Sequence, residues 1–195
     1  MERNSRYSQG YKLESQIREA FGKVTYTQTC HEKINKRLSK RDNKIKIYQI
    51  VLSSITTGSF LVTIITDEKL ASVVGAIFSL ILLILNAYVK DFDLCEIAQK
   101  HRDAADLLWK IREEYISLLT DFELLDADII MKKRDELQNR TAEVYNKSPR
   151  TDDKSYKEAQ KALKTDEEQT FSEHEIDVML PNSIRRSNRK LKEDN

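Results

Sequence analysis

Two apolar runs, parted by three charged residues, decide what this chain can fold into. Ile47–Thr66 (IYQIVLSSITTGSFLVTIIT) and Leu70–Val89 (LASVVGAIFSLILLILNAYV) contain no Asp, Glu, Lys, Arg or His. A helix needs about 20 apolar residues to cross a hydrocarbon core of roughly 30 Å, and each run has that length. Asp67, Glu68 and Lys69 between them must lie in water, so the two spans are expected to be antiparallel neighbours in a tight hairpin. A cleaved signal peptide does not fit, because the first run starts far from the N-terminus and no small-residue cleavage pattern follows it.

The bulk composition conceals this. Charged residues make up 33 % of the 195, the mean hydropathy is −0.60 and the net charge is +1, values typical of a soluble protein. The apolar residues are concentrated in one block, with both flanks rich in charge. A near-zero net charge gives no reason to expect nucleic-acid binding. Four glycines cannot build a Gly-rich phosphate loop, and neither GxxxxGK[ST] nor GxGxxG occurs. With two prolines, Pro149 and Pro181, the chain can form long unbroken helices. Cys30 and Cys95 form no CxxC pair and are expected to be reduced cytosolic thiols.

Basic residues near the spans set the expected orientation. Lys33, Lys36, Arg37, Lys40, Arg41, Lys44 and Lys46 precede the first span, and Lys90, Lys100 and Arg102 follow the second. The connecting turn offers only Lys69. Both termini are therefore expected in the cytoplasm of a cell whose inner membrane the chain crosses twice.

Within the first span, Gln49, Ser53, Thr56 and Thr63 recur at helical spacing. They can serve as packing glue or line a water-filled pore once several hairpins assemble. In the second span Ala71, Gly75 and Ser79 form a small-xxx-small row suited to close helix packing, with Asn86 nearer the cytoplasmic end. No acid or base lies in mid-membrane, which argues against a proton-coupled transporter or a voltage sensor.

Beyond Val89 an alternating three- and four-residue apolar rhythm predicts one long helix to about Tyr145. Its seam, through Leu94, Ile97, His101, Ala104, Leu108, Ile111, Tyr115, Leu118, Phe122, Leu125 and Ile129, is an expected surface for oligomerisation. A weaker seam, Leu13, Ile17, Ala20, Val24, Thr27, His31, Ile34 and Leu38, lies upstream. The two can pack against each other and against copies of themselves. The expected fold is an all-α membrane protein: N-terminal amphipathic helices over 1–46, a transmembrane hairpin over 47–89 (47–66 and 70–89), a heptad helix over 90–145, and a tail over 146–195. Long cytoplasmic helices would form a coiled-coil-like bundle. In the tail, Asp152 and Asp153 can cap a short helix with Tyr156, Ala159 and Leu163 on its apolar side. Ser172 and Glu175 have capping-box spacing ahead of Ile176–Leu180, and Pro181 stops that helix. The end, Ile184–Lys192, is basic.

No catalytic constellation is visible. His31, His101 and His174 lack metal-ligand spacing, and GxSxG and HExxH are absent. His31 and His101 occupy seam positions at similar distances from the membrane, as two packed imidazoles or as a pH- or metal-sensitive element. No enzyme activity, cofactor or metal is expected.

The basic approach NKRLSKRDNKIK, the small-polar first span, the DEK turn, the apolar second span and FDLCEIAQKHRDAADLLWKIREEY together resemble the SLATT family. These are two-transmembrane effectors found beside SMODS nucleotidyltransferases and SLOG sensors in bacterial conflict systems. The resemblance covers about Thr25–Tyr145. It implies a pore-forming or membrane-disrupting antiviral effector, linked to a nucleotidyltransferase or other sensor encoded nearby. It assigns no functional residue by position. The alternative is a membrane-anchored coiled-coil scaffold that recruits a cytoplasmic partner.

Overall fold

The computed structural model describes residues 2–66, 69–182 and 184–186, with backbone alone for 2–8. Its elements are α1 (Glu2–Thr66), α2 (Lys69–Asp91), α3 (Leu94–Thr120), α4 (Ala127–Lys147), α5 (Asp153–Lys164) and α6 (Glu173–Met179), and no strand occurs among the described residues. Asp67 and Glu68, and Arg189, Lys190 and Lys192 of the basic end, lie outside the described residues.

α1 is one unbroken helix of 65 residues, about 97 Å long at 1.5 Å per residue. It carries the expected N-terminal segment and the first span on a single axis. No proline interrupts it, and the hydroxyls of Thr25, Thr27 and Thr29 fold back onto carbonyls one turn earlier. α2 returns beside the span. Outward side chains on the hairpin stay bare, with Ile65 80 % and Leu70 73 % exposed. Both segments are long and apolar enough to cross a membrane, and lipid can cover such exposed surfaces.

Below the hairpin the chain differs from the single helix expected over 90–145. It breaks first at Phe92–Asp93, where the Asp93 carboxylate accepts from the Glu96 backbone N–H at 2.8 Å and caps α3. It breaks again over 121–126, and Asp126 opens α4. α4 then runs back along α3, tied by Arg140 to Glu114 at 2.7 Å. Phe122 and Leu125 therefore sit at a reversal, only partly buried, and Ile129 is exposed.

The seam lies inside the single chain. Leu94, His101, Ala104, Leu108, Ile111, Tyr115 and Leu118 are buried, largely against Ile17, Val24, His31 and Ile34 of α1; Ile97 is more than a third exposed. Ile130, Leu137 and Val144 of α4 close the core. Most of the expected oligomer seam is thus buried within one molecule, and the helices below the hairpin form the expected helical bundle from segments of unequal length.

α5 crosses back over α1. Asp152 and Ser155 form a reciprocal capping box at its start. Its buried face is Ser155, Ala159 and Ala162, one step round from the expected Tyr156, Ala159 and Leu163; Tyr156 instead stacks on Tyr26 with ring centroids 5.3 Å apart. Small side chains let α5 lie close on α1. At its end Glu167 takes a positive φ of 49°. This sharp reversal brings Glu168 onto Lys33 at 2.7 Å and Gln169 onto Thr29 at 2.9 Å. α6 has the expected box between Ser172 and Glu175.

Candidate functional site

The hairpin's inner face is polar at its bundle end and narrow above. Gln49 donates through Nε2 to Asn86 Oδ1 at 2.8 Å, joining the two spans. Further in, Gly75 is buried, and a Cβ there would meet the Ser59 Cβ at 3.1 Å. The Ala71 and Gly75 backbones flank a cleft of about 300 Å³ that Thr56 and Thr63 also line, with Ser79 at its edge. Thr56 and Thr63 give their hydroxyl protons to the carbonyls of Leu52 and Ser59 at 2.9 Å, so neither of these two donors is left unpaired.

Of the four residues singled out on the first span, the fold gathers Gln49, Thr56 and Thr63 on the side of α2 and leaves Ser53 exposed at the edge of that stripe. Ser54, Thr57 and Gly58 are exposed as well. A spacing of four and three residues suggests one stripe, but only position within the hairpin separates Ser53 from the rest.

Gly75→Leu is expected to wedge the spans apart and destabilise the hairpin by about 1–3 kcal/mol, the usual cost of overfilling a packed site. Cysteine cross-linking between Gln49→Cys and Asn86→Cys reads this: the pair should bridge readily when Gly75 is kept and poorly when Gly75→Leu is added. Equal bridging would show that the close approach at Gly75 does not hold the hairpin.

A second polar cluster sits in the bundle. His31 Nδ1 and His101 Nδ1 are 2.8 Å apart and join α1 to α3, with both residues 2–3 % exposed. One imidazole must donate and the other accept, so the accepting ring is neutral. Burial, then the neighbouring His101, pulls His31 down to about 4. His101 is also held low, chiefly by burial and also by Arg37, against the attraction of Asp152. Arg37 bonds Asp152 at 2.5 Å and Glu158 at 3.2 Å, fixing α5 across this level. Burial opposes the charge on Asp152, but the Ser155 backbone N–H and Arg37 outweigh it and hold the carboxyl low. Cys30 lies beside Ser155, and burial pushes its thiol up. Both cysteines are free. Arg112 completes the cluster by donating to Gln28 at 3.0 Å and to Gln169. No group of three metal-capable side chains occurs among the described residues.

The two histidines stand at one depth, as their spacing from the membrane indicates, whereas the docking of the α5 strap has no local signal: Arg37 lies more than a hundred residues from Asp152 and Glu158, as does Thr29 from Gln169.

The sequence that builds these two spans and the helical bundle matches a known family. The model of SMODS and SLOG-associating 2TM effector domain family 4 matches residues 13–175, which take in both spans, α1 from residue 13 onward and α2 through α5. The chain belongs to that family. No curated protein and no solved structure matches it. The 2TM effector domain accordingly takes in the bundle and the strap as well as the hairpin.

Proposed function

We propose that this SLATT-family chain is a pore-forming effector. Several hairpins associate in the inner membrane of a bacterium, with the bundle and both termini in the cytoplasm, and permeabilise it in a nucleotide-signalled antiviral response. The signal would come from a nucleotidyltransferase or other sensor encoded nearby. The reading assigns the chain no catalysis, cofactor or metal. Family membership supports the effector role, and the excess of basic residues flanking the bundle ends of both spans supports the orientation.

The observation that carries the pore is the outward polar face of the first span. Ser53, Ser54, Thr57 and Gly58 are exposed. Ser54 and Thr57 return their hydroxyl protons to the carbonyls of Ile50 and Ser53 at 2.9 and 3.0 Å, but a hairpin serving as a passive anchor has no need of small polar residues at these exposed positions. Neighbouring hairpins can bring these faces together around water. The scaffold reading loses its expected docking surface, because Leu108, Ile111 and Tyr115 of the seam are buried within the chain's own bundle.

Ser53→Leu with Thr57→Leu tests this. Leucine favours the bilayer, so insertion should survive, while a hydrophobic constriction resists wetting. Toxicity and dye-reported depolarisation should both fall to the level of cells without the protein. Ser53→Ala with Thr57→Val, which removes the hydroxyls at little added volume, should retain part of both. A leucine variant that inserts and depolarises like wild type would exclude this face from a pore.

A further inference from the structure

The basic residues of α1 fall into two groups. Away from the membrane, Lys33 and Arg37 are neutralised by Glu168, Asp152 and Glu158 of the strap. Nearer the membrane, Lys40, Arg41 and Lys44 are exposed and have no ion pair among the described residues. Asp42 is the single acid between Lys33 and Thr66, and it is buried and bonded to Lys46 at 2.7 Å. Lys40 and Lys44 stand one turn apart, as do Arg37 and Arg41, and like charges at that spacing destabilise a helix.

Arg41 is also held in place. Its Nη2 donates to the Tyr88 hydroxyl at 3.0 Å, and its guanidinium carbon lies 5.8 Å from the centroid of that ring. Tyr88 is the penultimate residue of the second span and stacks on Phe92. Tyrosines at span ends sit at headgroup level, which places the Arg41 guanidinium there too. Two helices of the hairpin thus fix one uncompensated guanidinium, with spare N–H donors, in the plane where lipid phosphates lie.

We propose that Arg41, with Lys44 beside it and Tyr88 steering it, binds the phosphate of an anionic phospholipid headgroup in the leaflet on the bundle side. The phosphate supplies the counter-charge that this stretch of α1 lacks. A strongly basic belt would attract any phosphate, but the depth set by Tyr88 favours one carried by a lipid.

The test uses the full chain reconstituted in phosphatidylcholine vesicles, with trace spin-labelled phosphatidylglycerol or phosphatidylcholine reporting boundary association. At low salt the anionic probe should be favoured about fivefold, the ratio expected for one basic residue near the membrane surface. Arg41→Gln with Lys44→Gln should bring the ratio close to one. Tyr88→Phe, which keeps the charge but removes the hydroxyl that holds it, should give an intermediate value. Lys157→Gln, on the exposed side of α5, should match wild type. Sodium phosphate and sodium chloride at equal ionic strength should lower the preference equally, by screening. A preference unchanged in the double variant would overturn the site. A selective loss in inorganic phosphate would overturn the lipid assignment in favour of a soluble anion.

Discussion

Leu108→Glu is expected to unfold the bundle, and not merely to separate one molecule from another. Leu108 is 0 % exposed and sits mid-way along α3 in the core with Val24, Ile111 and Tyr115. A glutamate there must be buried unpaired or be protonated, and either costs about 3–5 kcal/mol, a large share of the stability of a domain this size. Trp109, the one tryptophan, is next in sequence and half exposed, so its fluorescence reports the event. In detergent the variant should show loss of extramembrane helicity and a red-shifted Trp109 emission at temperatures where wild type is folded. Leu124→Glu, at a residue 84 % exposed, should change neither. If Leu108→Glu lowered only the oligomer content and left helicity and melting intact, the core packing described above would be wrong.

Acid is expected to loosen the same bundle at the junction of α1, α3 and α5. His31 titrates at about 4 in the folded chain, against an ordinary 6.5. Between those values the unfolded chain binds a proton that the folded chain refuses, so stability falls as pH falls through that window. The pair can hold one Nδ1–H···Nδ1 bond only while the acceptor is neutral; protonation sets two donors face to face in a buried space. The loss should be on the order of 3 kcal/mol by pH 4. Asp152 acts at lower pH. Its carboxyl is held below the usual range, so its contribution is present above that range and lost only in stronger acid. Thermal unfolding followed between pH 7 and pH 4 checks the window. His31→Asn, whose amide can occupy the Nδ1 position without titrating, should flatten the profile. A wild-type midpoint that does not move between pH 6.5 and pH 4 would show that the contact does not govern the bundle's stability.

What the sequence made legible follows from the range of each interaction. The two spans, the cap of α5 at Asp152 and the Ser172–Glu175 box are local patterns, and they stand where the residues indicate. The reversal over 121–126 escaped notice because Phe122, Leu125 and Ile129 continue the apolar rhythm straight through it, and no glycine or proline marks the turn. Asp93-x-x-Glu96 and Asp126-x-Asp128 were the available signals, both being acids at helix starts. The hairpin's inner face was only half legible. Spacing put Ser53 with Gln49, Thr56 and Thr63, yet the direction in which α2 lies is a tertiary fact. The strap lay beyond pattern reading altogether, since Arg37 finds Asp152 and Glu158 across more than a hundred residues. Its small buried residues are also weaker markers than the large exposed Tyr156.

α1 has a mechanical property that its neighbours lack. From Ile17 in the bundle to Ile45 at the foot of the membrane it has no joint, a lever arm of roughly 42 Å. Pivoting such an arm by about 10° at Ile45 carries Ile17 sideways by roughly 7 Å, while the stretch beyond the fulcrum tips by the same angle. The return path is different, because Phe92 and Asp93 interrupt the helical run between α2 and α3. A displacement of the far end of α1 is therefore carried along one helix axis into the first span, whereas the second span is separated from the bundle by a break in the helix.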